Sequence, residues 1–90
     1  MGGVIFEVVV PKDTTITLDK MSGFFMIDCI TGSGYNAYPI VGYSSSRNNT
    51  LLLGGFYDNA SFDSNGALTI RGLSGTDLRY KGILFGNKQN

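Results

Sequence analysis

The sequence predicts an all-β fold, namely an antiparallel β-sandwich or jelly-roll-like domain of seven to eight short strands. Apolar residues recur at spacing two or in short unbroken runs, which is the pattern of strands. Turn-forming residues separate these runs at regular intervals. Thirteen glycines interrupt the stretches that could otherwise form a helix. With 90 residues, no repeat and no low-complexity linker, we expect one domain spanning residues 1–90.

Each strand candidate is a run of apolar or alternating residues that ends at turn formers. In chain order the candidates are residues 4–10, 14–18, 23–30, 37–43, 50–56, 67–71 and 78–85, with a short eighth piece at 61–62. The segments between them read PKD, DKMSG, TGSGYN, SSSRNN, DSNG and GLSGTD. The DSNG segment, residues 63–66, is the clearest turn, because Asn-Gly supplies two residues that tolerate positive φ. It predicts a hairpin with Phe62 and Leu68 near its closed end.

Alternation along the strands divides them into two kinds. Residues 14–18 and 67–71 are apolar on one face only, as in a sheet that borders water. Residues 4–10, 23–30 and 50–56 carry apolar side chains on both faces. A two-layer fold of this length buries only one face of each sheet, and no helix is available to cover the other. We therefore expect another copy of the chain to cover it, in a closed symmetric homo-oligomer.

The last strand shows the same feature most clearly. Its residues Leu78, Tyr80, Gly82 and Leu84 face one way, and the other face changes from two cations to two large hydrophobic residues. A strand that passes from solvent into a subunit interface has this pattern. The side chains expected in the interface are Ile5, Phe24, Met26, Ile83 and Phe85.

Composition and charge exclude several classes of protein. Seven basic residues balance seven acidic ones and are scattered, so we expect no nucleic-acid partner. No apolar run reaches 18 residues and no signal-peptide pattern opens the chain, so we expect no membrane insertion. There is no histidine, and Cys29 is alone, which excludes an intrachain disulfide and a Cys/His zinc site. Cys29 is expected to be a small buried hydrophobe.

Motifs for cofactors, metals and catalysis are weak. GSGYNA, residues 32–37, matches a dinucleotide fingerprint, but YPIVGY follows it, which will not form the required helix. Oxygen ligands gather at residues 58–65, but they lack the spacing and the Glu of an EF-hand. No histidine is present to serve as a base, and nothing pairs the carboxylates of Asp58, Asp63, Asp77 and Glu7. We expect no cofactor, no metal and no enzymatic activity.

The polar residues of the loops are the candidate ligand contacts. Tyrosine rings can stack on a sugar face, and amides and hydroxyls can hydrogen-bond its hydroxyl groups or meet a protein surface. Solvated loops with half-buried tyrosines would explain the same residues. The hypothesised ligand-binding residues are Tyr43, Ser45, Arg47, Asn48, Asn49, Tyr57, Asp58 and Asn59.

Four consecutive stretches resemble the terminal β-sandwich of bacteriophage tail-fibre and head-fibre proteins. They read SGFFMIDCIT, NAYPIVGYSS, NNTLLLGGF and NGALTIRGLSGTDLRYKGILFG, and they lie within residues 14–86. The shared features are a hydrophobic strand led by Ser-Gly, a late hairpin of the form NG-x-x-x-I, the link GLSG and a final strand that closes near the C-terminus. The motifs are patterns of residue type, so the resemblance assigns no role to an individual residue.

The resemblance implies a virion protein, that is, a non-catalytic homotrimeric fibre tip that binds a host cell-surface glycan or protein. The alternatives are a virion assembly, capping or decoration domain without receptor binding, and a small carbohydrate-binding module. On this resemblance we expect the chain to be equivalent to the tip of a longer fibre protein or cut from one, whereas a native Met1 favours a short virion decoration or accessory protein.

Overall fold

The computed structural model describes residues 3–31, 39–54 and 59–88, and in these ranges it is all-β with antiparallel pairing and no helix. The strands are β1 (Gly3–Val10), β2 (Thr15–Thr17), β3 (Met21–Cys29), β4 (Ile40–Ser44), β5 (Thr50–Gly54), β6 (Ala60–Phe62), β7 (Leu68–Arg71) and β8 (Leu78–Lys88). The predicted all-β class is confirmed.

The strands form two sheets. The five-stranded sheet has the order β1-β8-β3-β4-β5, and the three-stranded sheet has the order β2-β7-β6. The pairs β1–β8 and β2–β7 join distant parts of the chain, whereas β3–β4, β4–β5 and β6–β7 are neighbours in sequence. The N-terminal strand is therefore held along its whole length by the C-terminal one.

In the described ranges, strand boundaries follow the prediction to within one residue, with three larger differences. The third strand begins at Met21 and the last runs on to Lys88, because these two residues are the terminal pair of the β3–β8 ladder. The fourth begins at Ile40, and the fifth is described as far as Gly54. Residues 37–38 and 55–56, which were also predicted to be extended, lie outside the described residues.

Two facing glycines allow the β3–β8 ladder to extend. Gly23 and Gly86 are directly opposite each other, and Gly23 has a φ of +140°. A Cβ atom on either residue would collide with the backbone of the opposite strand. Only glycine permits both this backbone conformation and so close an approach of the two strands.

Both sheets contribute to one buried cluster. The five-stranded sheet supplies side chains such as Ile27, Tyr80 and Leu84, and the three-stranded sheet supplies Leu68 and Ile70. All five are at most 1 % exposed. Burying an aliphatic or aromatic side chain of this size stabilises the folded state by about 1.5–3 kcal/mol.

Aromatic rings fill the space above glycines on the same buried side. Phe25 lies opposite Gly42, and Phe6 lies opposite Gly82. A Cβ atom at Gly42 would come within 2.7 Å of the Phe25 ring, and one at Gly82 within 2.8 Å of the Phe6 ring. Phe25 also meets Phe62 of the other sheet edge to face, with ring centroids 6.0 Å apart.

The predicted hairpin at residues 63–66 is present, and Phe62 pairs with Leu68 next to its closed end as expected. Its turn differs from the expected type, since Gly66 has a positive φ (+79°) and Asn65 does not. The Gly66 N–H donates to the Asp63 carbonyl, and the Asp63 carboxylate accepts the Asn65 and Ala67 N–H groups at 2.8 and 2.9 Å. This three-residue loop needs one left-handed residue rather than two.

Candidate functional site

The outer face of the five-stranded sheet, the side turned away from the buried cluster, is the main candidate site. Along β8, Leu78, Tyr80 and Leu84 are buried, whereas Arg79 and Phe85 on the other side are exposed. The predicted facing of this strand is confirmed. The same alternation in β1, β3, β4 and β5 places the second apolar side chains of these strands on the outer face.

Strand register aligns three aromatic side chains across the outer face. Phe24 of β3 is the direct partner of Phe85 on one side and of Tyr43 on the other. Leu51 of β5 lies opposite Tyr43 and continues the line. We call Phe85, Phe24, Tyr43 and Leu51 the aromatic row. All four side chains are exposed.

A second apolar line runs beside the aromatic row. Ile83 is the direct partner of Ile5 in β1 and of Met26 in β3, and Met26 is the partner of Val41 in β4. Leu53 continues the line on β5, where the register shifts. We call Ile5, Ile83, Met26, Val41 and Leu53 the aliphatic row. A shallow depression of about 360 Å³ lies at its β1–β8–β3 end.

A charged line bounds the two apolar rows. Lys81 of β8 is directly opposite Glu7 of β1 and Asp28 of β3, so the charges alternate across three strands. We call these three residues the charged row. The charged row therefore forms a straight border across three strands, with the aliphatic row on one side and Val9, Arg79 and Ile30 on the other. An apolar centre with a polar rim is the usual anatomy of a protein–protein interface.

The size of the apolar surface supports the same interpretation. Seven of the exposed large hydrophobic side chains lie in the aromatic and aliphatic rows, and each is 37–69 % exposed. At on the order of 100 Å² each, they present on the order of 700 Å². Monomeric proteins rarely expose an apolar patch of more than a few hundred Å², and a standard interface buries about 800 Å² per partner.

The five residues predicted for the oligomer interface lie together on this face. Ile5, Phe24, Met26 and Phe85 are exposed and Ile83 is half-buried, and they occupy adjacent positions in the aromatic and aliphatic rows. Sequence reasoning placed Tyr43 among the ligand contacts instead. The register puts it beside Phe24, in the same apolar surface.

The other predicted ligand residues of this region form the β4–β5 turn. The Ser45 hydroxyl accepts the Arg47 and Asn49 N–H groups at 3.2 and 3.1 Å, so it holds the turn together. Asn48 has a φ of +64° and occupies the left-handed position, as Gly66 does in the other hairpin. The side chains of Arg47, Asn48 and Asn49 are exposed and remain candidate contacts.

The remaining predicted ligand residues do not join this turn. Asn59 is buried, and its carbonyl accepts the Arg71 N–H, so its side chain belongs to the interior rather than to a contact surface. Tyr57 and Asp58 lie outside the described residues.

A buried hydroxyl that sequence reasoning missed connects the two turns. Ser44 is 2 % exposed, accepts a hydrogen bond from the Lys20 ammonium at 2.9 Å and donates one to the Gly66 carbonyl at 2.9 Å. The β4–β5 and β6–β7 turns are thus fixed to each other at one end of the molecule. Ser44 opens a run of three serines, and nothing in that run distinguishes the buried one.

The carboxylates that were considered for catalysis have structural partners or stand apart. Asp63 stabilises the β6–β7 turn, and Asp77 accepts the Lys12 N–H at 2.8 Å. Glu7 lies in the charged row, opposite Lys81. Among residues 3–31, 39–54 and 59–88 no three acidic or cysteine side chains are grouped as metal ligands would be. Cys29 is buried and unbonded to another cysteine, as expected.

Comparison with known protein families, with curated proteins and with solved structures finds no match for the chain. In the described part of the chain, no helix is long and apolar enough to span a membrane.

Proposed function

We propose that the chain is a non-catalytic structural domain that assembles as a homotrimer through the outer face of its five-stranded sheet. The single observation that carries the proposal is the continuous apolar surface of the aromatic and aliphatic rows, bounded by the charged row. A second copy of the chain supplies a matching apolar surface. Three copies around one axis bury this face in every subunit and leave no copy of it exposed.

At the level of architecture, we propose a two-layer sandwich with partial jelly-roll character. The shared buried cluster and the Phe25–Phe62 contact support a sandwich of the five-stranded and three-stranded sheets. The pairs β1–β8 and β2–β7, which wrap the two ends of the chain together, are typical of a jelly roll. The consecutive hairpins β3–β4–β5 depart from that topology.

The biological setting that we propose is the virion surface of a bacteriophage, where the trimer forms the tip of a tail fibre or head fibre. The resemblance of residues 14–86 to such terminal domains supports this setting. The exposed side chains of the β4–β5 turn, Arg47, Asn48 and Asn49, are the proposed contacts to a host cell-surface glycan or protein. Without such contacts, the same trimer serves as an assembly or capping domain.

One observation favours a second candidate function, that of a small carbohydrate-binding module. Phe85, Phe24 and Tyr43 are exposed side by side on three adjacent strands, and successive aromatic rings can stack on successive sugar units. Two of the three rings have no polar group to orient a sugar, and the aliphatic row flanks them on one side. A protein surface therefore fits this row better than a polysaccharide does.

Methionine oxidation tests whether the outer face is covered. Met26 lies in the aliphatic row and is exposed in the single chain, whereas Met21 is buried in the core and is an internal control. In a trimer that buries the outer face, peroxide should oxidise Met26 as slowly as Met21, as measured by peptide mass spectrometry. Rapid oxidation of Met26 beside a protected Met21 would contradict the proposed interface.

Binding assays separate a receptor-binding tip from a capping domain and from a carbohydrate-binding module. The wild-type protein, Arg47→Ala and Tyr43→Ala are compared on a glycan array and on intact bacterial cells. If the β4–β5 turn binds the receptor, the wild-type protein should bind the array or the cells, and Arg47→Ala should abolish that binding. Tyr43→Ala should leave the binding unchanged as long as the variant remains trimeric. A monomer whose glycan binding is lost in Tyr43→Ala would establish the carbohydrate-binding module instead.

A further inference from the structure

The most exposed hydrophobic side chains of the outer face lie on its two edge strands rather than at its centre. Ile5 of β1 is 69 % exposed and Leu53 of β5 is 61 % exposed. On the three inner strands, Phe24, Met26 and Phe85 are 37–47 % exposed. A partner that covered only the middle of the face would leave the two largest exposed side-chain surfaces in water.

The β1 edge lacks the usual protection against pairing with another strand. Natural edge strands are shortened, bulged, or interrupted by proline or several charges. β1 has eight residues, pairs with β8 in unbroken register and carries one charge, Glu7. Val4, which points to the inner side, is exposed as well, so this edge presents apolar side chains on both faces. β2 and β6 are edges of only three residues.

The β5 edge of a second copy is the partner that strand direction allows for the β1 edge. Because each strand in the order β1-β8-β3-β4-β5 is antiparallel to the next, β1 and β5 run in the same direction. Rotation about an axis roughly parallel to the strands brings β5 of one copy beside β1 of the next with both strands parallel. Such a rotation does not move a residue along the axis. Since Ile5 and Leu53 both belong to the aliphatic row, Leu53 of one copy lies at the same position along the axis as Ile5 of the next.

We infer that the corners of the trimer are formed by β1 of one subunit lying side by side and parallel with β5 of the next. The contact is heterologous, and three such corners close the ring, which joins the three outer faces around the axis. Each corner covers Ile5 with Leu53 and protects both free edges. This inference rests on the proposed trimer and names the segments that meet within it.

Disulfide trapping tests the corner. In the double variant Ile5→Cys, Leu53→Cys, the new thiols face each other only between subunits, because the two strands lie at opposite edges of one sheet. After mild oxidation, a non-reducing gel should show covalent dimer and trimer, which reductant returns to the 9.7 kDa chain. Both positions are largely exposed in the single chain, and the native Cys29 is buried.

A matched pair and the single variants complete the test. Ile5→Cys with Ile30→Cys, whose second site is on the outer face beyond the charged row, should stay uncrosslinked. Covalent dimer from Ile5→Cys alone would mean that β1 meets β1 about a two-fold axis, which overturns the inferred corner. A reduced double variant that is trimeric in light scattering but does not crosslink overturns the corner and leaves the trimer standing. A monomeric wild-type protein overturns the proposed trimer itself.

Discussion

Phe85→Asp is the substitution that bears most directly on the proposed interface. Phe85 is 47 % exposed in the single chain, so about 100 Å² of its side chain remains to be buried by a partner. At about 25 cal/mol per Å², that burial contributes about 2.5 kcal/mol per subunit and roughly 7 kcal/mol per trimer. Loss of this contribution from all three subunits raises the trimer dissociation constant about 10⁵-fold. Since that constant scales with the square of the half-dissociation concentration, the concentration at half dissociation rises roughly 300-fold.

Sedimentation equilibrium over a dilution series measures this shift. The introduced aspartate raises the half-dissociation concentration further, because a carboxylate without a partner is costly to desolvate. Arg79→Ala is the control, since Arg79 lies on the same face of the same strand but beyond the charged row. We expect it to leave the dissociation curve unchanged. A Phe85→Asp protein that remains folded and dissociates at the wild-type concentration would refute the reasoning.

Three further predictions concern contacts within one subunit, and chemical denaturation at one fixed protein concentration measures each of them. Ser44→Ala should lower the free energy of unfolding by about 1–3 kcal/mol, because the Gly66 carbonyl loses its donor in a buried setting. Gly82→Ala should cost about 1–3 kcal/mol, since the methyl group would lie 2.9 Å from the Met26 carbonyl oxygen; Gly54→Ala, with contacts no closer than 3.5 Å, is the control and should be nearly neutral. At Asn48, with a φ of +64°, Asn48→Val should cost about 1–2 kcal/mol while Asn48→Gly is tolerated, and equal effects of the two would contradict the left-handed turn.

Local patterns in the sequence were sufficient to predict the strands and their faces. Alternation in β8 assigns Tyr80 to the interior and Phe85 to the outer face, and the structure agrees. The reason is physical: the side-chain period of a strand is two residues, so the facing of one residue determines that of the others. Turn residues likewise locate the β6–β7 hairpin, although the number of left-handed residues in it follows from loop length, which composition does not reveal.

Strand pairing could not be predicted from the sequence in the same way. That Lys81 lies between Glu7 and Asp28 depends on the pairing of β8 with two strands that are far from it in the chain. The straight border of the apolar surface is therefore visible only in the structure. The β3–β4 pairing places Tyr43, which was in the predicted ligand set, on the outer face next to Phe24.

Burial of polar groups was the other feature beyond the reach of the sequence. Ser44 and Asn59 are polar residues in polar segments, where exposure is the ordinary expectation. Both are buried, and both hydrogen-bond to distant parts of the chain: the Ser44 hydroxyl donates to the Gly66 carbonyl, and the Asn59 carbonyl accepts the Arg71 N–H. A ligand set chosen by residue type alone therefore includes residues that serve the fold.

The molar mass of the wild-type protein in solution is the most direct test of the central claim, that the outer face of the five-stranded sheet is a subunit interface. Size-exclusion chromatography with multi-angle light scattering at micromolar concentration gives that mass without a label or a variant. The proposed trimer predicts three times the 9.7 kDa chain mass, about 29 kDa, independent of elution volume. A single species at 9.7 kDa would contradict it and would mean that the apolar rows face solvent or a different partner.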